Sequence, residues 1–305
     1  MSCRREVPAA RREGWTVTNK VGIFYGYWEH DWDTDFMPSV GRARNLGFDI
    51  LEINAGTLAR MSPDAQDALA KKASENGITL TLCIGLPRDM DTASPDARCR
   101  TNGIAFLVTT AKTMRRLGIQ IISGILYGTW PSSLPENGNK DEFVERSVGS
   151  MKEAIKAAED NDVKFCLEVV NRFEHFIMNT ADEAVGYIQR VGSPALKVHL
   201  DTFHMNIEED DPSDAIRRAG SLLGHFHLGE NNRRPPGAGH LPWDSIFDAL
   251  KAVGYTGHLV MEPFLTMGGT IGRDIRMYRD LRGDLDLDQG ARDALRFVRA
   301  HLSRR

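Results

Sequence analysis

The chain has 305 residues, 41% of them hydrophobic, enough for a large buried core. Its formal net charge is −4 and its pI about 6.2, which argues against nucleic acid or an anionic membrane surface as partners. Apolar stretches are short and broken by charge, so none is expected to span a bilayer.

Residues 1–18 are basic, polar and aperiodic, and are expected to form a disordered tail. They lack the apolar run of a secretory signal. An Arg-rich transit peptide and a true start near Val17 are the alternatives. From Lys20 onward, short apolar β-rich runs alternate with longer stretches of helical spacing. The spacing predicts strands over 21–25, 49–54, 79–86, 121–127, 164–170, 196–201, 224–228 and 258–262. Helices are predicted over 37–46, 63–76, 102–117, 141–160, 181–191, 212–219 and 243–253, with a last one over 289–302. Gly47, Gly77, Gly118 and Gly254 stand where left-handed C-caps belong.

Strict strand–helix alternation implies a parallel sheet, and eight repeats favour a closed (β/α)8 barrel in one domain spanning 19–305. The insertion WPSSLPENGNK after the fourth strand lies where such a barrel carries its active-site loops. Cys3, Cys83, Cys99 and Cys166 show no C-x-x-C spacing and read as reduced thiols of a cytoplasmic protein.

Functional residues of this architecture sit at the C-terminal ends of strands. The fifth to eighth strands end in CLEVVNRFE, KVHLDTFHMN, GHFHLGE and VMEPF, which supply Glu168, Asp201, His227 and Glu262. A lone strand-end Glu or His is usually a satisfied structural group. Four from consecutive strands at matching depth point instead to a shared divalent cation, because each charge would be costly to bury alone. The oxygen-rich set suits Mn2+ or Mg2+, with Co2+ also compatible. His204, Glu174 and Arg233 lie close by in sequence; each alone could equally be a solvated loop residue. His199 and His225 lie two residues before ligand positions, on the same face but deeper. Phe24, Tyr25, Tyr27, Trp28, Trp32 and Trp130 are expected at the same end; most aromatics of a barrel are core, but an apolar wall beside a polar floor is what a sugar pocket needs.

The strings NKVGIFYGYW, CLEVVNRFE, VHLDTFHMNIEE, GHFHLGENNR and VMEPF resemble the ketose 3-epimerases, the D-tagatose and D-psicose (D-allulose) 3-epimerase group of xylose-isomerase-like barrels. The resemblance runs from about Asn19 to about Leu302. It implies that Glu168 and Glu262 are both metal ligands and the catalytic acid/base pair, and that Asp201 and His227 are ligands only. It further implies that Glu174, His204 and Arg233 hold the ketose near O1–O3, and that Phe24, Cys83 and Trp130 form the apolar part of the pocket. A homodimer or a dimer of dimers is the implied assembly. Some psicose-type members carry Tyr at the position of Phe24. The FY pair here is closer to the tagatose-type branch and suggests a looser hold on C4–C6.

The chemistry explains the pair. Inverting C3 of a 2-ketose requires removing a proton from one face and returning one to the other through an enediolate, hence two carboxylates with exchangeable roles. Rival readings are an aldose–ketose or hydroxypyruvate isomerase, an inosose dehydratase, a repair nuclease, and a non-catalytic sugar-binding relative. The nuclease would need more histidine ligands and a basic groove.

Overall fold

A computed structural model describes residues 19–304. The tail expected over residues 1–18 lies outside the described residues.

Eight parallel strands close into a barrel in sequence order. They are β1 (Val21–Phe24), β2 (Ile50–Asn54), β3 (Thr79–Leu86), β4 (Ile121–Thr129), β5 (Lys164–Val169), β6 (Leu196–Asp201), β7 (Leu223–Leu228) and β8 (Leu259–Met261). Closure is made by β1 pairing with β8, Val21 opposite Leu259 and Ile23 opposite Met261. The strands are apolar almost throughout because helices cover one face and the barrel core the other. β4 is buried along its whole length. Its Gly124 has φ +107, and a Cβ there would lie 2.2 Å from the Ile84 carbonyl oxygen of β3, so only glycine admits this close strand approach.

Most predicted elements match to within a residue or two. The largest boundary difference is the helix Ala97–Leu117, which starts five residues before the predicted 102 because Asp96 caps it; the others cluster where strands end. β1 stops at Phe24, and Tyr25–Tyr27 turn at once into a 3-10 helix. β8 stops at Met261, although the Glu262 amide still donates to the Leu228 carbonyl at 3.1 Å. β4 continues to Thr129, beyond the predicted 127. Two short helices absent from the predicted set start directly from strand ends. Ala55–Arg60 is capped by Asn54, whose side chain accepts from the Thr57 amide. Thr202–Glu208 is capped by Asp201, which accepts from the Phe203 amide. A side-chain cap satisfies the first orphan amides of a helix and lets it begin without a connecting loop. A third, Gly269–Asp274, follows β8 and reaches over the barrel mouth. Among the described residues, no helix is long and apolar enough to cross a membrane.

Candidate functional site

Glu168 lies on β5, Asp201 ends β6, His227 lies on β7, and Glu262 follows β8. Register pairs Asp201 with His227, whereas Glu168 pairs with His199, two residues before Asp201, and Glu262 lies two residues beyond Val260, the partner of His227. All four are buried, and one ligand atom from each lies within 4.8 Å of all the others. His227 Nδ1 is 3.4 Å from Glu262 Oε2 and 3.9 Å from Glu168 Oε1.

The donor set fits a divalent cation on an observation independent of any resemblance. His227 Nδ1 and Asp201 Oδ2 are buried and have no hydrogen-bond partner among the described residues. Buried polar atoms are almost always satisfied, so two orphans converging on two further carboxylates mark a missing common partner. The helix cap explains why Asp201 divides its oxygens. Its Oδ1 is held by the Phe203 amide at 2.8 Å, which leaves Oδ2 turned toward the cluster. In the metal-free protein, burial and then the charge of Glu262 push the Glu168 carboxyl well above its usual range. Burial opposes protonation of His227, but the carboxylates of Glu262 and Glu52 outweigh it and raise its pKa.

Around this floor the structure brings together the other predicted polar residues. His204 sits one turn into the helix that Asp201 caps. Its Nδ1 faces the backbone amide of Asn171 at 3.2 Å and so acts as acceptor. Nε2 then carries the proton and lies 3.7 Å from Glu168 Oε1 and 3.8 Å from Asp201 Oδ2. Burial lowers the His204 pKa, consistent with a neutral ring. Glu174 accepts from Trp130 Nε1 (2.9 Å), Asn171 Nδ2 (3.1 Å) and Arg233 Nη2 (3.1 Å). Burial works against its charge, but His204, Arg233 and these donors outweigh it and hold its pKa below the usual value. The Arg233 guanidinium stacks over Phe203, 3.7 Å from the ring centroid. The loop presenting Arg233 is folded around buried Glu230, which accepts from the amide of Gly237 and from Trp243 Nε1, each at 2.7 Å.

A cavity of about 600 Å³ opens above the floor. Phe24, Cys83, Trp130 and Trp32 line it, as do Glu168, Glu262, Glu174, His204 and Arg233. Asp201 and His227 are not among its lining residues; they lie in the barrel core. The Cys83 thiol has its pKa raised by burial and then by the surrounding carboxylates, so it presents a neutral wall rather than a nucleophile.

The expected aromatic wall needs a correction. Tyr25, Tyr27 and Trp28 do not line the cavity. Because β1 ends early, the turn rotates them outward: Tyr25 Oη donates to the Trp32 carbonyl and Tyr27 Oη to the Leu287 carbonyl, while Trp28 packs under Arg42. Their places are taken by Phe264, the last residue of VMEPF, and by Phe106 and Met90, which lie outside every motif. His199 and His225 lie in the core beneath the cluster, the His199 ring 4.0 Å from that of His227. The main omission is Glu52 on β2, fully buried, with Oε1 2.5 Å from His227 Nε2. The available signal was an acid inside the otherwise apolar ILEIN.

Comparison with known proteins agrees with this geometry. A family model described as xylose isomerase-like TIM barrel matches residues 40–301. D-psicose 3-epimerase of Agrobacterium fabrum is 44% identical over 283 residues, 92% of this chain and 98% of that protein. D-psicose 3-epimerase of Ruminiclostridium cellulolyticum is 46% identical, covering 92% of this chain and 97% of its own length. A crystal structure of D-psicose 3-epimerase with D-tagatose from Clostridium cellulolyticum H10 superposes with a TM-score of 0.91 at 45% identity, covering 93% of this chain and 99% of that one. With fold, length and motif order all shared, the chain belongs to the xylose isomerase-like TIM-barrel family and, within it, to the ketose 3-epimerases.

Proposed function

We propose that this enzyme inverts C3 of free ketoses, with Glu168 and Glu262 exchanging the C3 proton through an enediolate and a divalent metal bound by Glu168, Asp201, His227 and Glu262. The observation that carries the reading is the division within the cluster. Glu168 and Glu262 both reach the cavity, from strands on different sides of the ring, whereas Asp201 and His227 stay beneath it. Two carboxylates facing one bound carbon is what inversion by proton exchange demands.

When bound, the metal would polarise the C2 carbonyl and stabilise negative charge on O2. The oxygen-rich set favours Mn2+, with Mg2+ or Co2+ as alternatives. Glu168 and Glu262 act as base and acid in one direction and exchange roles in the other. His204, through Nε2–H, and Arg233 steady the O1–O3 end of the ketose, and Glu174 aims Arg233. The Trp130 indole, tied to Glu174, closes one side, while Phe24 and Cys83 supply an apolar face. The substrates are D-tagatose/D-sorbose, D-fructose/D-psicose and L-ribulose/L-xylulose pairs. Phe173 and Tyr278, 64% and 78% exposed, support the expected homo-oligomer, which sedimentation would read.

The test is incubation of the Mn2+-loaded enzyme with D-fructose, D-tagatose and L-ribulose in D2O, followed by NMR. Deuterium at C3 together with the C3 epimer is expected. Deuterium at C1 with an aldose product would instead identify an aldose–ketose isomerase. No turnover of any ketose would leave a sugar-binding relative.

A further inference from the structure

Glu52 is an acid at the centre of the barrel, on a strand that supplies none of the four clustered ligands. It is fully buried. Thr81 Oγ1 donates to its Oε2 at 2.8 Å, and His227 Nε2 stands 2.5 Å from its Oε1. His225 Nε2 also lies 2.9 Å from Oε2 without a hydrogen bond to it.

Glu52 already accepts from Thr81 Oγ1 through one oxygen, and its other oxygen is an acceptor placed against His227 Nε2, so the ring presents Nε2–H to it. A neutral imidazole protonated at Nε2 has its free lone pair on Nδ1. That is the buried, unpartnered atom facing Glu168 and Glu262. The His199 ring packs edge-on at 4.0 Å and blocks rotation from a second side.

We propose that Glu52 is the positioning residue of the centre: it fixes the ring orientation and Nε2–H tautomer of His227, so that Nδ1 is the donor atom offered to the divalent cation. This rests on the metal reading above. A carboxylate behind a ligating imidazole holds the ring and raises its basicity, and loss of such a partner typically weakens metal binding by about 10–100-fold.

The experiment is Mn2+ titration of folded wild-type and Glu52→Gln protein, with free Mn2+ read by electron paramagnetic resonance and Co2+ absorption spectra recorded in parallel. Gln keeps the shape but not the charge. The expected result is a Kd weakened by roughly 10–100-fold and an altered Co2+ spectrum in a protein of unchanged circular dichroism. Should Glu52→Gln not fold, Glu52→Asp keeps the charge but withdraws it by one methylene, and the same weakening is expected there. A lower melting temperature with wild-type Kd and spectrum would make Glu52 a structural group only and overturn the inference. If the wild type itself bound no divalent ion, the metal reading would fall, and that outcome is distinct from the first.

Discussion

The two halves of the barrel contribute differently to one cavity. β5 to β8 each bring a charged or imidazole group to the floor, and their loops add Glu174, His204 and Arg233. β1 to β4 bring Phe24, Cys83 and the Trp130 loop, plus one acid, Glu52, that stays in the core. The contrast follows from what each half must tolerate. Grouped carboxylates are stable in the interior only with fixed donors or a shared cation, so the second half is tightly hydrogen-bonded. An apolar wall needs only shape. On the proposed function, the second half carries chemistry and the first half carries fit.

The sharpest way to break that division is to disarm the second half without reshaping it. Glu168→Gln or Glu262→Gln preserves volume and removes one of the two proposed proton carriers. Turnover should fall by about 10²–10⁴-fold, the usual contribution of a positioned acid or base. Ketose binding should partly survive, because His204, Arg233 and the apolar wall remain. Initial rates by NMR and binding by calorimetry check this. Near-normal turnover in either variant would sink the two-carboxylate scheme.

A second test uses pH. In the metal-free protein both Glu168 and His227 have raised pKa values. The stability each contributes is fully present below its ordinary value, 4.5 for Glu168 and 6.5 for His227, and is lost as pH rises through the raised one. The metal needs both groups deprotonated. Removing it with a chelator should therefore cost more stability at pH 8 than at pH 6. At a hundredfold excess of Mn2+ over Kd the stabilisation is about 2.7 kcal/mol. Melting curves with and without Mn2+ read the difference, and a gain that ignored pH would separate these residues from the metal.

Much of this division could be read in the sequence, and the exceptions have physical causes. Strands flanked by helices are apolar on both faces, so their runs stand out, as in TLTLCIGL of β3. The four clustered groups stood out because each interrupts or ends such a run. The helices at Ala55 and Thr202 did not, because a strand-end side chain caps each of them and no loop signal intervenes. The placement of Tyr25, Tyr27 and Trp28 away from the cavity is not legible, since where β1 stops depends on a 3-10 turn with no side-chain cap. Glu52 also interrupts an apolar run, but it lies in the middle of β2 rather than toward a C-terminal strand end, where functional groups of a barrel are expected. Only the barrel's closure puts it against His225 and His227.

The smallest expected effect belongs to the first half. Phe24 lies at the end of β1, lining the cavity and packing against Phe264 with ring centroids 6.0 Å apart. Its ring is 2% exposed, so a hydroxyl added in Phe24→Tyr must point into the cavity or find a partner. Asn54 and Arg60 line the same cavity and offer polar groups. If the hydroxyl reaches the far end of the ketose, it adds one neutral hydrogen bond, about 0.5–1.5 kcal/mol. That should lower KM by up to about tenfold for ketohexoses while leaving kcat and the ketopentose L-ribulose nearly unchanged, because a five-carbon chain has no C6 hydroxyl to meet it. A change in kcat with KM constant would mean that the wall reaches the reacting carbon, and the separation of fit from chemistry between the two halves would not hold.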